Sequence, residues 1–149
     1  MKNASLLRVR AVLVLVLVFC TATIGFPLPA ASLTAEDTSL VPGGGSVALT
    51  ATVTYDGLPG ALGWSIVLPA DWSLVSVAGA NIPAIAPEAG NSGTLEFAYF
   101  TIPANRAEFK LVVRYPAGAT AAKAAATVLI RANGKLVTLE PAPVDFGCK

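Results

Sequence analysis

Ser46 to Tyr55 reads SVALTATVTY, a ten-residue stretch in which two kinds of side chain take turns without interruption. Val47, Leu49, Ala51, Val53 and Tyr55 point one way, and Ser46, Ala48, Thr50, Thr52 and Thr54 point the other. Successive side chains of a strand face opposite sides of the sheet, so this period of two describes a strand with one dry and one wet face. Ala107–Tyr115 repeats the pattern, with Ala107, Phe109, Leu111, Val113 and Tyr115 inward and Glu108, Lys110 and Arg114 outward. Leu62, Trp64, Ile66 and Leu68 make a third inward row; Leu95, Phe97 and Tyr99 make a fourth.

Further strands are predicted at Ser73–Ala78, Thr127–Ala132 and Lys135–Leu139, with shorter ones at Ser32–Ala35 and Val144–Phe146. Asn133-Gly134 separates two of them, and this pair suits the positive φ angles of a type I′ hairpin turn. The connections carry turn-formers: Pro42-Gly43-Gly44-Gly45, Asp56-Gly57-Leu58-Pro59-Gly60, Pro69-Ala70-Asp71, Pro103-Ala104-Asn105 and Pro116-Ala117-Gly118. Gly79–Gly93 is the long loop. Ala117–Ala126 lacks an amphipathic stripe and reads as a loop entering a strand, with a short helix as the alternative. Seven to nine short strands with turns between them predict an all-β, antiparallel two-sheet β-sandwich.

Upstream, Ala11–Phe19 (AVLVLVLVF) follows Lys2, Arg8 and Arg10 and precedes small residues around Ala30. That is the layout of a secretory signal peptide. The run is shorter than the ~20 apolar residues that cross a bilayer. The expected division is a signal peptide over residues 1–32, ending at Ala30-Ala31-Ser32, then one domain over 33–149; Cys20-Thr21-Ala22 is the earlier cleavage alternative. The expected location is therefore outside the cytoplasm: periplasmic, cell-surface or extracellular.

Without Lys2, Arg8 and Arg10, seven basic residues face nine acidic ones, a net of −2. That surface lacks the basic footprint a phosphate backbone requires, so no nucleic-acid partner is expected, and no membrane span after cleavage. The chain contains no histidine, which removes the commonest general base and zinc ligand together. The carboxylates are scattered, and Glu36-Asp37 lacks the spacing of a calcium loop. No catalytic residue, metal or cofactor is expected. Cys148 would be the sole cysteine of the processed chain, so no internal disulfide is expected.

Trp64 belongs to an inward row and is expected in the core. Trp72 follows a turn and has two readings, core residue or sugar-stacking platform. The candidate ligand contacts are accordingly Trp72 with Tyr55 or Tyr99.

Val41-Pro42-Gly43-Gly44, the Thr/Val strand ending at Tyr55, Gly57, Ala61-Leu62-Gly63-Trp64, Leu68-Pro69, Trp72, Gly93-Thr94-Leu95-Glu96 and Pro103 together resemble a bacterial extracellular module. The resemblance is to immunoglobulin-like and cohesin-type β-sandwiches. It implies a non-catalytic binding, interaction or structural role, with another envelope or extracellular protein as partner. Carbohydrate binding through the aromatics is the alternative. A sheet edge and the Gly79–Gly93 loop are the expected contact surfaces.

Overall fold

The computed structural model of the chain describes residues 28–148. Ten strands follow in order: β1 (Ala30–Ala35), β2 (Ser39–Leu40), β3 (Gly45–Thr54), β4 (Ala61–Val67), β5 (Ser73–Ala78), β6 (Thr94–Ala98), β7 (Arg106–Tyr115), β8 (Ala121–Ala132), β9 (Lys135–Leu139) and β10 (Val144–Cys148). One sheet has the order β1-β3-β7-β5. The other runs β2-β10-β8-β4-β6, with β9 also on β8. Pairing is antiparallel except between β2 and β10. From β1 to β8 the chain changes sheet at every step, so each of those connections bridges the two layers at one end or the other.

All four inward rows are buried. They meet in one core, where rings bind the layers together: Trp64 on β4 meets Phe109 on β7 edge-on at 5.9 Å, and Phe97 on β6 meets the same ring at 4.9 Å. Trp72 lies between Tyr115 of β7 and Phe146 of β10, at 5.4 and 4.9 Å. The β8–β9 hairpin turns at Asn133 and Gly134, both at positive φ, as its sequence predicts.

One expectation needs correction. The alanine-rich segment forms neither a loop nor a helix from Ala121 onward, because β8 begins there and runs twelve residues. Its first residues pair with β10 and the following ones with β4, so ladder bonds override alanine's helical preference. The closing strand predicted at Val144–Phe146 runs on to Cys148, whose N–H donates to the Thr120 carbonyl at 3.0 Å. The long loop Gly79–Gly93 is pinned by backbone bonds. Ile85 exchanges both backbone bonds with Ala98 at 3.0 Å, Gly90 donates to Leu74 at 2.7 Å, and Leu74 donates to Asn91 at 2.8 Å. The loop thus covers the outer edges of β5 and β6, which would otherwise recruit foreign strands.

The expected signal segment falls mainly on residues 1–27, outside the described residues. Its final Ala30-Ala31-Ser32 lies in β1, opposite Thr54, Val53 and Thr52 of β3.

Candidate interaction surface

The inward rows leave two outer faces of different chemistry. On the β1-β3-β7-β5 sheet, cross-strand partners place Ser32, Thr52 and Glu108 in one row, and Thr34, Thr50 and Lys110 in the next. Directly opposed residues share a face, so this side is a polar platform of hydroxyls and charges. Thr52 Oγ1 donates to the Glu108 carboxylate at 3.0 Å, and Arg106 pairs with the same group. The Arg106 bond foremost, and then the Thr52 bond, hold the Glu108 carboxyl below the usual carboxylate range. Lys110 Nζ reaches Glu36 Oε1 at 2.8 Å, which raises the lysine.

The outer face of the second sheet is different. Across it run Ile85, Ala98, Gly63, Leu129 and Thr138, each opposite the next. Ile85 and Leu129 are 48 % and 44 % exposed. The neighbouring row contains Ala61, Arg131 and Leu136. Phe100 follows Tyr99, whose N–H donates to Leu62. This row is adjacent to the end of the sandwich where β3 finishes and β1, β4, β7 and β9 begin.

That end gathers the apolar exposure. Leu28 (88 %), Phe100 (79 %), Leu58 (70 %) and Leu136 (60 %) are the four most exposed large hydrophobics among the described residues. Leu58 sits in the β3–β4 loop and Phe100 in the β6–β7 loop. The two loops are joined by Tyr55 N–H to Asn105 O, Asn105 N–H to Gly57 O and Gly57 N–H to Asn105 Oδ1, all near 3 Å. Gly60 N–H donates to Arg131 O at 2.7 Å, fastening the same loop to β8 beside Leu136. Leu28 and Leu58 also line a depression of about 450 Å³ with Pro29, Tyr55, Asp56 and Asn133. Water is poorly served by such side chains gathered at one end of the sandwich, and exposed apolar surface of this kind marks contact sites.

The sequence-predicted contacts are placed otherwise. Trp72 is 2 % exposed and lies toward the opposite end of the sandwich, against Tyr115 and Phe146. Tyr55 and Tyr99 sit near one another at the apolar end, both buried. Tyr55 donates its hydroxyl to Pro103 O at 2.6 Å, and Tyr99 donates to Asn81 O at 2.8 Å. The three rings therefore form no shared stacking platform: each completes the hydrophobic core, and Tyr55 alone reaches the rim of the depression.

Burial raises both phenols above the ordinary tyrosine range, and the proximity of Tyr55 raises Tyr99 further. The unfolded chain therefore releases these protons at lower pH than the folded chain does. Stability from these groups is complete below about pH 10, the unfolded value, and is lost as pH rises toward the folded values. Urea midpoints should stay level from pH 7 to about pH 9 and fall above about pH 10. Tyr99→Phe should flatten that alkaline limb; an unchanged limb would reject the assignment.

Among the described residues, no three His, Cys, Asp or Glu side chains are grouped as metal ligands, and no helix is long and apolar enough to cross a membrane. Cys148 is a free, exposed thiol.

No family model matches the chain, and no curated protein matches it. Several solved structures are similar to it. The solution structure of the chitin-binding domain of a hyperthermophilic chitinase from Pyrococcus furiosus aligns with a TM-score of 0.45 at 21 % identity, over 74 % of this chain and 96 % of that one. The crystal structure of BslA, a bacterial hydrophobin, aligns at 0.38 and 16 % identity, over 76 % and 96 %. A family 123 glycoside hydrolase from Clostridium perfringens aligns at 0.36 and 13 % identity, over 81 % of this chain and 27 % of that one.

Proposed function

We propose that this chain is an exported, non-catalytic β-sandwich module of the bacterial envelope or surface that works by contact through its apolar end. The immunoglobulin-like or cohesin-type kinship read from residues 40–115 belongs to the same proposal. One observation carries the contact role: Leu28, Leu58, Phe100 and Leu136 converge on one end while the opposite sheet face is hydroxylated and charged. For export, a cut after Ala22 keeps all of β1, whereas a cut after Ser32 removes half of it.

Changing Leu58, Phe100 and Leu136 together to serine tests the contact role. These side chains are exposed, so each change should alter stability by no more than about 0.5 kcal/mol. Retention by native envelope fractions should fall about tenfold or more, since burial of each side chain contributes about a kilocalorie. Thr34→Ala with Thr50→Ala, on the polar face, should be retained like the parent. Equal retention of the triple variant would refute the role.

A polysaccharide is the second reading, favoured by the depression in which Asp56 and Asn133 stand beside Tyr55 and Leu58. There, polar groups are available to sugar hydroxyls and apolar ones to a ring face. Repeating the retention assay on insoluble polysaccharide in place of envelope separates the two.

A further inference from the structure

We propose that β9 is a docking edge for a second copy of this chain, the two β9 strands pairing antiparallel about a two-fold axis normal to the sheet. This goes beyond the contact role of the apolar end and uses the flank of the sandwich instead.

Five strands border the two sheets: β1, β5, β2, β6 and β9. The Gly79–Gly93 segment covers the outer edges of β5 and β6, and β2 is two residues long. β9 pairs with β8 on one side, and no strand among the described residues pairs with the other. In a hairpin closed by a two-residue turn, the pair flanking the turn exchanges backbone bonds, and then every second pair does. Lys135, Val137 and Leu139 therefore bond to Ala132, Ile130 and Val128, while Leu136 and Thr138 turn their N–H and C=O groups away from β8. Arg131, opposite Leu136, fits this phase: its carbonyl faces the other side of β8 and accepts from Gly60 N–H at 2.7 Å. Leu136 and Thr138 are exposed, and neither proline nor a bulge interrupts the strand. Such an edge recruits another strand.

The same residues fix register and orientation. The turn at Asn133 and Gly134 bounds β9 on one side, and Pro141, which has no N–H, follows Glu140 on the other. Leu136 and Thr138 are thus the strand residues that bond outward. Setting Leu136 opposite Thr138 of the second copy satisfies both residues of both strands, whereas centring on either one leaves the other unpaired. Val137, half-buried, then faces its own copy across the axis. Charge selects the antiparallel sense. Arg131 and Lys135 stand at the turn end, with Asp56 in the nearby β3–β4 loop; Glu140 closes the strand, and Glu36 and Asp37 follow β1 toward that same end, Glu36 held by Lys110. Antiparallel pairing sets the acidic end of each copy beside the basic end of the other, and parallel pairing would align like with like. β1, the remaining edge, lies against β8 and β10 on this flank, and the axis sets it beside its own copy, so both layers continue across the contact. An edge that meets itself in this way closes at two copies.

The test replaces Cys20 and Cys148 of the full chain with serine and adds Val137→Cys. Facing residues of a non-bonded antiparallel pair have Cα atoms about 4.5 Å apart, within disulfide reach. With copper phenanthroline as oxidant, this chain should form covalent dimer on the order of tenfold faster than one carrying Ser76→Cys, exposed on the other sheet. Adding Thr138→Pro removes an outward donor and no bond to β8, and should lower the rate to that of the Ser76→Cys chain. Thr138→Lys, which brings two ammonium groups together across the axis, should do the same if the proline variant misfolds. The chain with Leu58, Phe100 and Leu136 changed to serine keeps the β9 backbone groups and should still cross-link through Val137→Cys, which separates this edge from the apolar end. Equal rates for Val137→Cys and Ser76→Cys would overturn the proposal. So would a sedimentation mass of two copies that survives both changes at Thr138, because the second copy would then sit elsewhere.

Discussion

Trp64→Ala is expected to lower the unfolding free energy by about 3–5 kcal/mol, against about 5–15 kcal/mol for a whole domain. The indole is 2 % exposed on a strand bonded on both sides, to β6 and to β8. Those ladders keep the backbone from closing over the void, so the loss should lie in the upper part of the range. Phe109 also loses its edge-on neighbour and stays in contact with Phe97. Trp64→Phe should behave differently. The indole Nε1 is buried with no hydrogen-bond partner. An unpaired buried donor costs about 1–3 kcal/mol, so removing it offsets part of the lost volume. The phenylalanine variant should fall within about 1.5 kcal/mol of the parent. Guanidinium melts followed by circular dichroism measure both; an alanine variant losing under about 1 kcal/mol contradicts the core assignment.

The same residue shows what the sequence makes legible. Trp64 alternates with Gly63 and Ser65 and shares its inward row with Leu62, Ile66 and Leu68, so the period of two places it without any tertiary information. Ala121–Ala126 offers little such contrast: Ala124 and Ala126 point inward and Ala121 and Ala125 outward, the same methyl on both sides, with Lys123 the single outward charge. Only the partners β10 and β4 make that segment a strand. Two-residue β2 likewise exists through its parallel pairing with β10, a contact far away in sequence. The candidate surface was legible only in fragments. Trp72, Tyr55 and Tyr99 stand out by type, yet their rings complete the core. Leu58 and Leu136 look ordinary, and it is the topology that gathers them. One local signal was present: Tyr99 and Phe100 are consecutive aromatics, and in an extended chain one of such a pair must face away from the core.

A run of identical residues can be read as a turn without revealing which member the turn requires, and Gly43-Gly44-Gly45 is such a run. Gly44 has a φ of +78°, and a Cβ there would come within 2.8 Å of Ala117 N, 3.0 Å of Pro116 C and 3.1 Å of Tyr115 O. All three are backbone atoms and cannot rotate aside. The two loops are also strapped together, Gly118 N–H donating to Pro42 O at 2.8 Å and Val41 N–H to the Tyr115 hydroxyl at 3.2 Å. A methyl at Gly44 must therefore separate the loops or distort the turn closed by Gly44 N–H and Val41 O. The left-handed conformation costs an L-residue about 1–2 kcal/mol, and overpacking against fixed atoms adds about 1–3 kcal/mol. Gly44→Ala is expected to lose about 3 kcal/mol in all, lowering Tm by on the order of 10 °C. Gly43, its neighbour, is outside the positive-φ region, and a Cβ there meets nothing within 4 Å. Gly43→Ala should stay within about 0.5 kcal/mol of the parent. Calorimetry on the pair decides the matter: equal melting temperatures would mean that the close approach of the two loops carries no stability, and that Gly43 and Gly44 are interchangeable after all.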